Sequence, residues 1–100
     1  MELFIFARFH ARAGAEAAVA AAIGAVVPPS SREAGCLGIQ GYRSLRDPRL
    51  FYVHSRWKDE AAFDYHATLP HTERFIATVE ALIDHPLDIT RAHPLENAPV

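Results

Sequence analysis

Residues Leu50–Phe75 read LFYVHSRWKDEAAFDYHATLPHTERF. The first eight alternate in the manner of a strand. One side carries Phe51, Val53, Ser55 and Trp57, and the other Leu50, Tyr52, His54 and Arg56. Asp59 follows as a helix N-cap, with Glu60 favourable in the first turn. Pro70 breaks the helix near Leu69. A second helical segment, from His71 or Thr72 to Ile83, carries Phe75, Ile76, Val79, Leu82 and Ile83 at helical spacing.

Towards the N-terminus, Arg46-Asp47-Pro48-Arg49 is a turn, so the third strand forms an antiparallel hairpin with an earlier strand at Leu37–Leu45. Gly38 and Gly41 inside that strand mark a bulge or a close approach. Ser30–Gly35 reads as a polar loop. Ala15–Val27 reads as an alanine-rich helix with a Val19, Ile23, Val26, Val27 stripe, stopped by Pro28 and Pro29. Leu3–His10 reads as a strand, apolar on both faces at Leu3, Phe4, Ile5 and Phe6. Towards the C-terminus, Pro86 precedes a last strand at Leu87–His93.

The order is strand, helix, strand, strand, helix, strand. It predicts an α+β, ferredoxin-like split βαβ fold, with a four-stranded antiparallel sheet and helices on one face. One domain spans residues 1–95, and 96–100 form an extended tail. The uncovered sheet face needs a partner, and a second copy packed sheet to sheet supplies one.

Composition narrows the function. The chain has 100 residues, 50% of them hydrophobic, and a net charge of −2. That balance predicts no grip on nucleic acid or an anionic membrane. The single cysteine, Cys36, allows no internal disulfide and fits a reducing cytoplasm. The apolar run in MELFIFARFH is too short to span a bilayer and has no cleavage site after it. A cytoplasmic location is expected.

Three segments carry a family resemblance. They are Arg32-Glu33-Ala34-Gly35-Cys36-Leu37-Gly38, then Tyr42-Arg43-Ser44-Leu45 with Asp47-Pro48, then Phe51-Tyr52-Val53 through Trp57-Lys58-Asp59-Glu60-Ala61-Ala62 with His66 and Pro70-His71. The chain resembles the antibiotic biosynthesis monooxygenase family, within the dimeric α+β barrel superfamily, over roughly Leu3 to Leu95. The resemblance implies a homodimer whose subunits each hold a pocket between sheet and helices. It implies a cofactor-independent monooxygenase that oxidises a small phenolic, quinol or polycyclic aromatic compound, with O2 as co-substrate. The chain departs from the family at Ser55, where a glutamate is usual, so a carboxylate that could orient a histidine is absent there. Its one asparagine, Asn97, lies in the tail, which argues against haem degradation by the related branch. The departure at Ser55 favours the alternative of a non-oxidative isomerase or an aromatic-metabolite binding dimer.

The candidate catalytic residues are His66, Trp57 and His71. His66 shares a helix face with Ala62 and Phe63, and its imidazole suits a general base. The plainer reading is a partly buried histidine at a helix–strand junction. His71 lines the same cavity or caps its helix. Trp57 is a flat wall for stacking or simply core. Phe6, Arg8, Phe51, Val53, Ser55, Phe63 and Phe75 are the candidate substrate-binding residues, with Arg8 at a cavity mouth or on a solvated strand end. No metal site is expected, because His66 and His71 are five apart across a proline and lack helical ligand spacing.

Overall fold

In the computed structural model, described here for residues 1–95, seven elements follow one another. They are β1 (Leu3–His10), α1 (Glu16–Ser31), β2 (Cys36–Arg43), β3 (Leu50–Trp57), α2 (Glu60–Ala67), α3 (Pro70–Glu80) and β4 (Asp88–Ala92). The sheet is antiparallel, in the order β2-β3-β1-β4. This is the α+β ferredoxin-like fold that the element order predicts. The tail at 96–100 lies outside the described residues.

Period-two alternation decides the faces. In β1, Leu3, Ile5, Ala7 and Phe9 are buried under the helices. In β3, Phe51, Val53, Ser55 and Trp57 are buried on the same side. Two core clusters result. Ala7, Phe9, Val19, Ile23, Phe51, Val53, Val79 and Ile83 belong to the larger, and Leu3, Ile5 and Trp57 form the smaller. The other sheet face presents Phe6, Tyr42 and Tyr52 to solvent.

Local chemistry explains the junctions. Asp59 caps α2 by accepting the Ala62 N–H at 2.8 Å. Pro70 opens α3 at a position where its missing N–H costs nothing, so α2 and α3 are separate helices. Gly38 follows the bulge in β2, and a Cβ at Gly41 would meet Ile23 Cγ2 at 2.6 Å, so α1 lies directly on the strand.

The boundaries of four elements differ from the sequence reading. The helix α1 runs through Pro28 and Pro29 to Ser31. A fixed φ near −65° suits a helix, and at the last turn the prolines remove hydrogen bonds only from the carbonyls one turn back. The Val19, Ile23, Val26 stripe therefore continues to Ser30, which is fully buried. Helix α3 stops at Glu80, and Ile83 instead bridges to Ala11. Strand β2 is shifted, starting at Cys36 and closing at Arg43, and β4 is trimmed at both ends to Asp88–Ala92.

Candidate active site

A cavity of about 350 Å³ lies between the sheet and the helices. Ile5, Ala7, Val53, Phe63 and Phe75 make most of its wall apolar. Ser30, Ser55, His66 and Thr72 supply its polar points, and Ile89 and Arg91 of β4 lie at its exposed side.

His66 sits in the last turn of α2 and is buried. Its ring lies 4.5 Å from the Trp57 ring and 5.5 Å from Phe63, between centroids. Trp57, itself fully buried, donates its indole N–H to Ser55 Oγ at 3.0 Å. A carboxylate reaches His66 from an unexpected place. His66 Nδ1 lies 2.6 Å from Glu33 Oε2, and His71 Nε2 lies 2.8 Å from the same oxygen. An ionised carboxylate only accepts, so each ring turns an N–H towards Glu33. That tautomer leaves His66 Nε2 as an acceptor. Thr72 Oγ1 lies 3.2 Å from Nδ1 and 3.5 Å from Nε2, so it holds Nε2 only weakly.

The backbone explains how Glu33 arrives. Because α1 continues past its prolines, the Glu33 N–H can close a turn on Ser30 O at 3.2 Å. Gly35 then passes so near α2 that a Cβ there would strike Ala62 Cβ. The Lys58 N–H bonds Gly35 O at 2.9 Å and ties this loop to the end of β3. Two buried polar atoms in this region have no hydrogen-bond partner among the described residues: Ser30 Oγ and Glu33 Oε1.

The predicted residues separate by face. His66, Ser55, Val53, Phe63 and Phe75 line the cavity. Trp57 and His71 stand behind it, packed on or paired beside His66. Phe51 is buried in the larger core cluster and does not line this cavity. Phe6 and Arg8 require correction. They lie on the helix-free face of the sheet, opposite His54 and Tyr52, and cannot line a cavity on the other side. Their places in β1 are taken by Ile5, Ala7 and Phe9. Sequence reasoning did not single out Glu33, Ser30 or Thr72 as site residues. Glu33 stands in one of the segments that carry the resemblance, and Ser30 continues the stripe of α1.

A second histidine cluster occupies the far end of β1. His10 Nδ1 lies 2.8 Å from Asp84 Oδ2, and its Nε2 lies 3.2 Å from Asp47 Oδ2. Arg49 adds an ion pair to Asp84 at 3.3 Å. The hydrogen bond with His10 holds the Asp84 carboxyl below its ordinary range. The Arg49 backbone N–H does the same for Asp47, with His10 adding to the effect.

Fold and site together define a class: a ferredoxin-like α+β domain with a ring-walled cavity and a carboxylate-oriented histidine. The chain matches the family described as antibiotic biosynthesis monooxygenase over residues 3–78, and it belongs to that family. A Mycobacterium tuberculosis relative named "Putative monooxygenase Rv0793" is 31% identical over 94 residues, 94% of this chain and 92% of the relative. The solved structure of Rv0793 superposes with a TM-score of 0.90, covering 99% of this chain and 100% of that one at 28% identity. The crystal structure of PA3566 from Pseudomonas aeruginosa is 33% identical, with a TM-score of 0.87 and 95% of each chain covered. Among the described residues no helix is long and apolar enough to cross a membrane.

Proposed function

We propose that this chain is a cofactor-independent monooxygenase acting on a small phenolic, quinol or polycyclic aromatic compound. One observation carries the reading: His66 borders an apolar cavity with its Nδ1 held by Glu33 at 2.6 Å. The carboxylate missing at Ser55 is thereby supplied from another loop. Ser55 instead accepts the indole N–H of Trp57.

The chemistry follows for a substrate whose reacting carbon is a CH2 made acidic by a neighbouring ring or carbonyl. His66 Nε2 takes one proton, and Glu33 stabilises the imidazolium that forms. The electron-rich anion passes one electron to O2. The resulting carbon radical and superoxide combine to a C–O bond. The peroxide takes the proton back from His66 and loses water, leaving a C=O. One oxygen atom enters the product, and the other leaves as water with the two hydrogens of the CH2. The apolar wall excludes bulk water from the radical pair.

The working unit is a homodimer. Phe6, Tyr42 and Tyr52 form an exposed aromatic group on the helix-free sheet face, and a second copy of the chain covers it. Sedimentation at micromolar concentration is expected to give twice the 11.1 kDa chain mass, and a monomer would contradict it.

The test of the activity is oxygen uptake with a panel of hydroquinones and anthrones. Uptake above the uncatalysed rate that falls in His66→Ala supports the reading. Equal rates in wild type and His66→Ala overturn it. Tight binding of the panel without turnover selects an aromatic-metabolite binding dimer instead.

A further inference from the structure

The three partners of the buried cluster are also a ligand set. Glu33, His66 and His71 each offer one donor atom, and the three atoms lie within 4.8 Å of one another. The linear spacing of His66 and His71 conceals this. The helix break at Leu69-Pro70 turns both rings towards one carboxylate, and the loop after α1 brings that carboxylate in. Glu33 and His66 each expose 9% of their side chains, while His71 exposes 17% and gives a path from solvent.

A second observation points to a cation. Glu33 Oε1 is buried and unpartnered among the described residues. A buried carboxylate oxygen without a partner is costly. A bound cation satisfies it by attracting the whole carboxylate. Metal–ligand bonds of about 2.0–2.2 Å place tetrahedral donors roughly 3.4 Å apart, so the Glu33–imidazole separations of 2.6 and 2.8 Å must open by about 0.8 and 0.6 Å.

We infer that Glu33, His66 and His71 form a binding site for one divalent first-row transition ion of the Zn(II) or Co(II) kind. Two imidazoles and one carboxylate suit those ions and not Mg(II) or Ca(II), which prefer oxygen donors. Binding through Nδ1 of His66 moves the single proton of the neutral ring from Nδ1 to Nε2, and binding through Nε2 of His71 moves that ring's proton to Nδ1. It also has a consequence at the cavity. An imidazole bound to metal through Nδ1 keeps its remaining proton on Nε2. The nitrogen that otherwise accepts a proton becomes a donor, so ion occupancy and base function exclude each other. This consequence, unlike the binding itself, rests on the reading of His66 as the base.

The experiment is calorimetric titration of the chelator-treated full chain with ZnCl2, with Co(II) visible absorption as a second readout. One Zn(II) per chain is expected, with no heat from MgCl2. Glu33→Gln and His71→Ala should each weaken binding at least about 10-fold, and His10→Gln should leave it unchanged. Circular dichroism verifies that each variant is folded, and His71→Ala, at the least buried ligand, decides the matter if Glu33→Gln is not. No binding, equal affinity in wild type and His71→Ala, or loss of binding in His10→Gln overturns the site. Zn(II) that binds as expected but leaves turnover untouched keeps the site and removes His66 as the base.

Discussion

The two histidine clusters are inversions of one another. At the end of β1 a single imidazole stands between two carboxylates, Asp47 and Asp84. Beside the cavity a single carboxylate stands between two imidazoles. The first engages both nitrogens of its ring, one against each carboxylate. Neither nitrogen is left free for chemistry, and the cluster clamps the β2–β3 turn to the segment after α3. The second engages one nitrogen on each ring and leaves the other. Surroundings reinforce the contrast. The clamp's carboxylates expose 43% and 36% of their side chains, against 9% for Glu33. The same residue types make a fastener where water competes and, on the function proposed above, a reactive centre where it does not.

The largest test of this contrast is Glu33→Gln. If Glu33 sets the tautomer of His66, the rate of oxygen uptake should fall about 10²- to 10⁴-fold with little change in KM. The mirror change, His10→Gln, should leave uptake unaltered. A rate loss of the same size in both would erase the distinction between the clusters.

Gly35→Ala comes next. The added methyl meets Ala62 and pushes the Glu33 loop from α2. Overpacking of this kind costs about 1–3 kcal/mol. For a domain this size each kcal/mol lowers the thermal midpoint by roughly 4–8 °C. A midpoint equal to wild type would show that the loop yields freely and that Glu33 is not held in place by it.

Ser30→Ala sharpens the comparison differently. Its hydroxyl is buried without a partner among the described residues, so removing it should leave stability equal or higher. An aromatic ligand that uses the hydroxyl should bind about 2- to 10-fold more weakly, as titration would show. A loss of stability with unchanged ligand affinity would make Ser30 a packing residue only.

The smallest effect belongs to the clamp. Asp84 and Asp47 are held below their ordinary value of 3.8, Asp84 chiefly by His10 and Asp47 chiefly by the Arg49 N–H. A carboxyl depressed on folding contributes stability above its unfolded value and loses it as pH falls through the folded one. The thermal midpoint should therefore fall with acid below about pH 4, and His10→Gln should flatten that fall. An unchanged slope in the variant would show that the clamp does not act through its charges.

How much of this could be read from the chain depends on sequence distance. Asp59 and Pro70 act on neighbours within a turn, so the start of α2 and the break before α3 are legible. The alternation in β3 places Val53, Ser55 and Trp57 on one face without any tertiary information. The first strand offers no such guide. Phe4 and Phe6 are as apolar as Ile5 and Ala7, so the pattern does not say which side the helices cover, and Phe6 and Arg8 fall on the side away from the cavity. Glu33 is harder still. It lies 33 residues from His66 and 38 from His71, and it reaches them only because α1 tolerates two prolines in its last turn. A rule that ends helices at proline turns that segment into an ordinary polar loop and hides the carboxylate.

Trp57 has a consequence of its own. It is the one tryptophan in the chain, it is fully buried, and its ring lies 4.5 Å from His66. All indole fluorescence from the protein therefore originates within touching distance of the candidate base. A protonated imidazole quenches a neighbouring indole, and an aromatic ligand or an ion against His66 alters its emission. The molecule carries its own optical reporter, placed where the events of interest occur and needing no label.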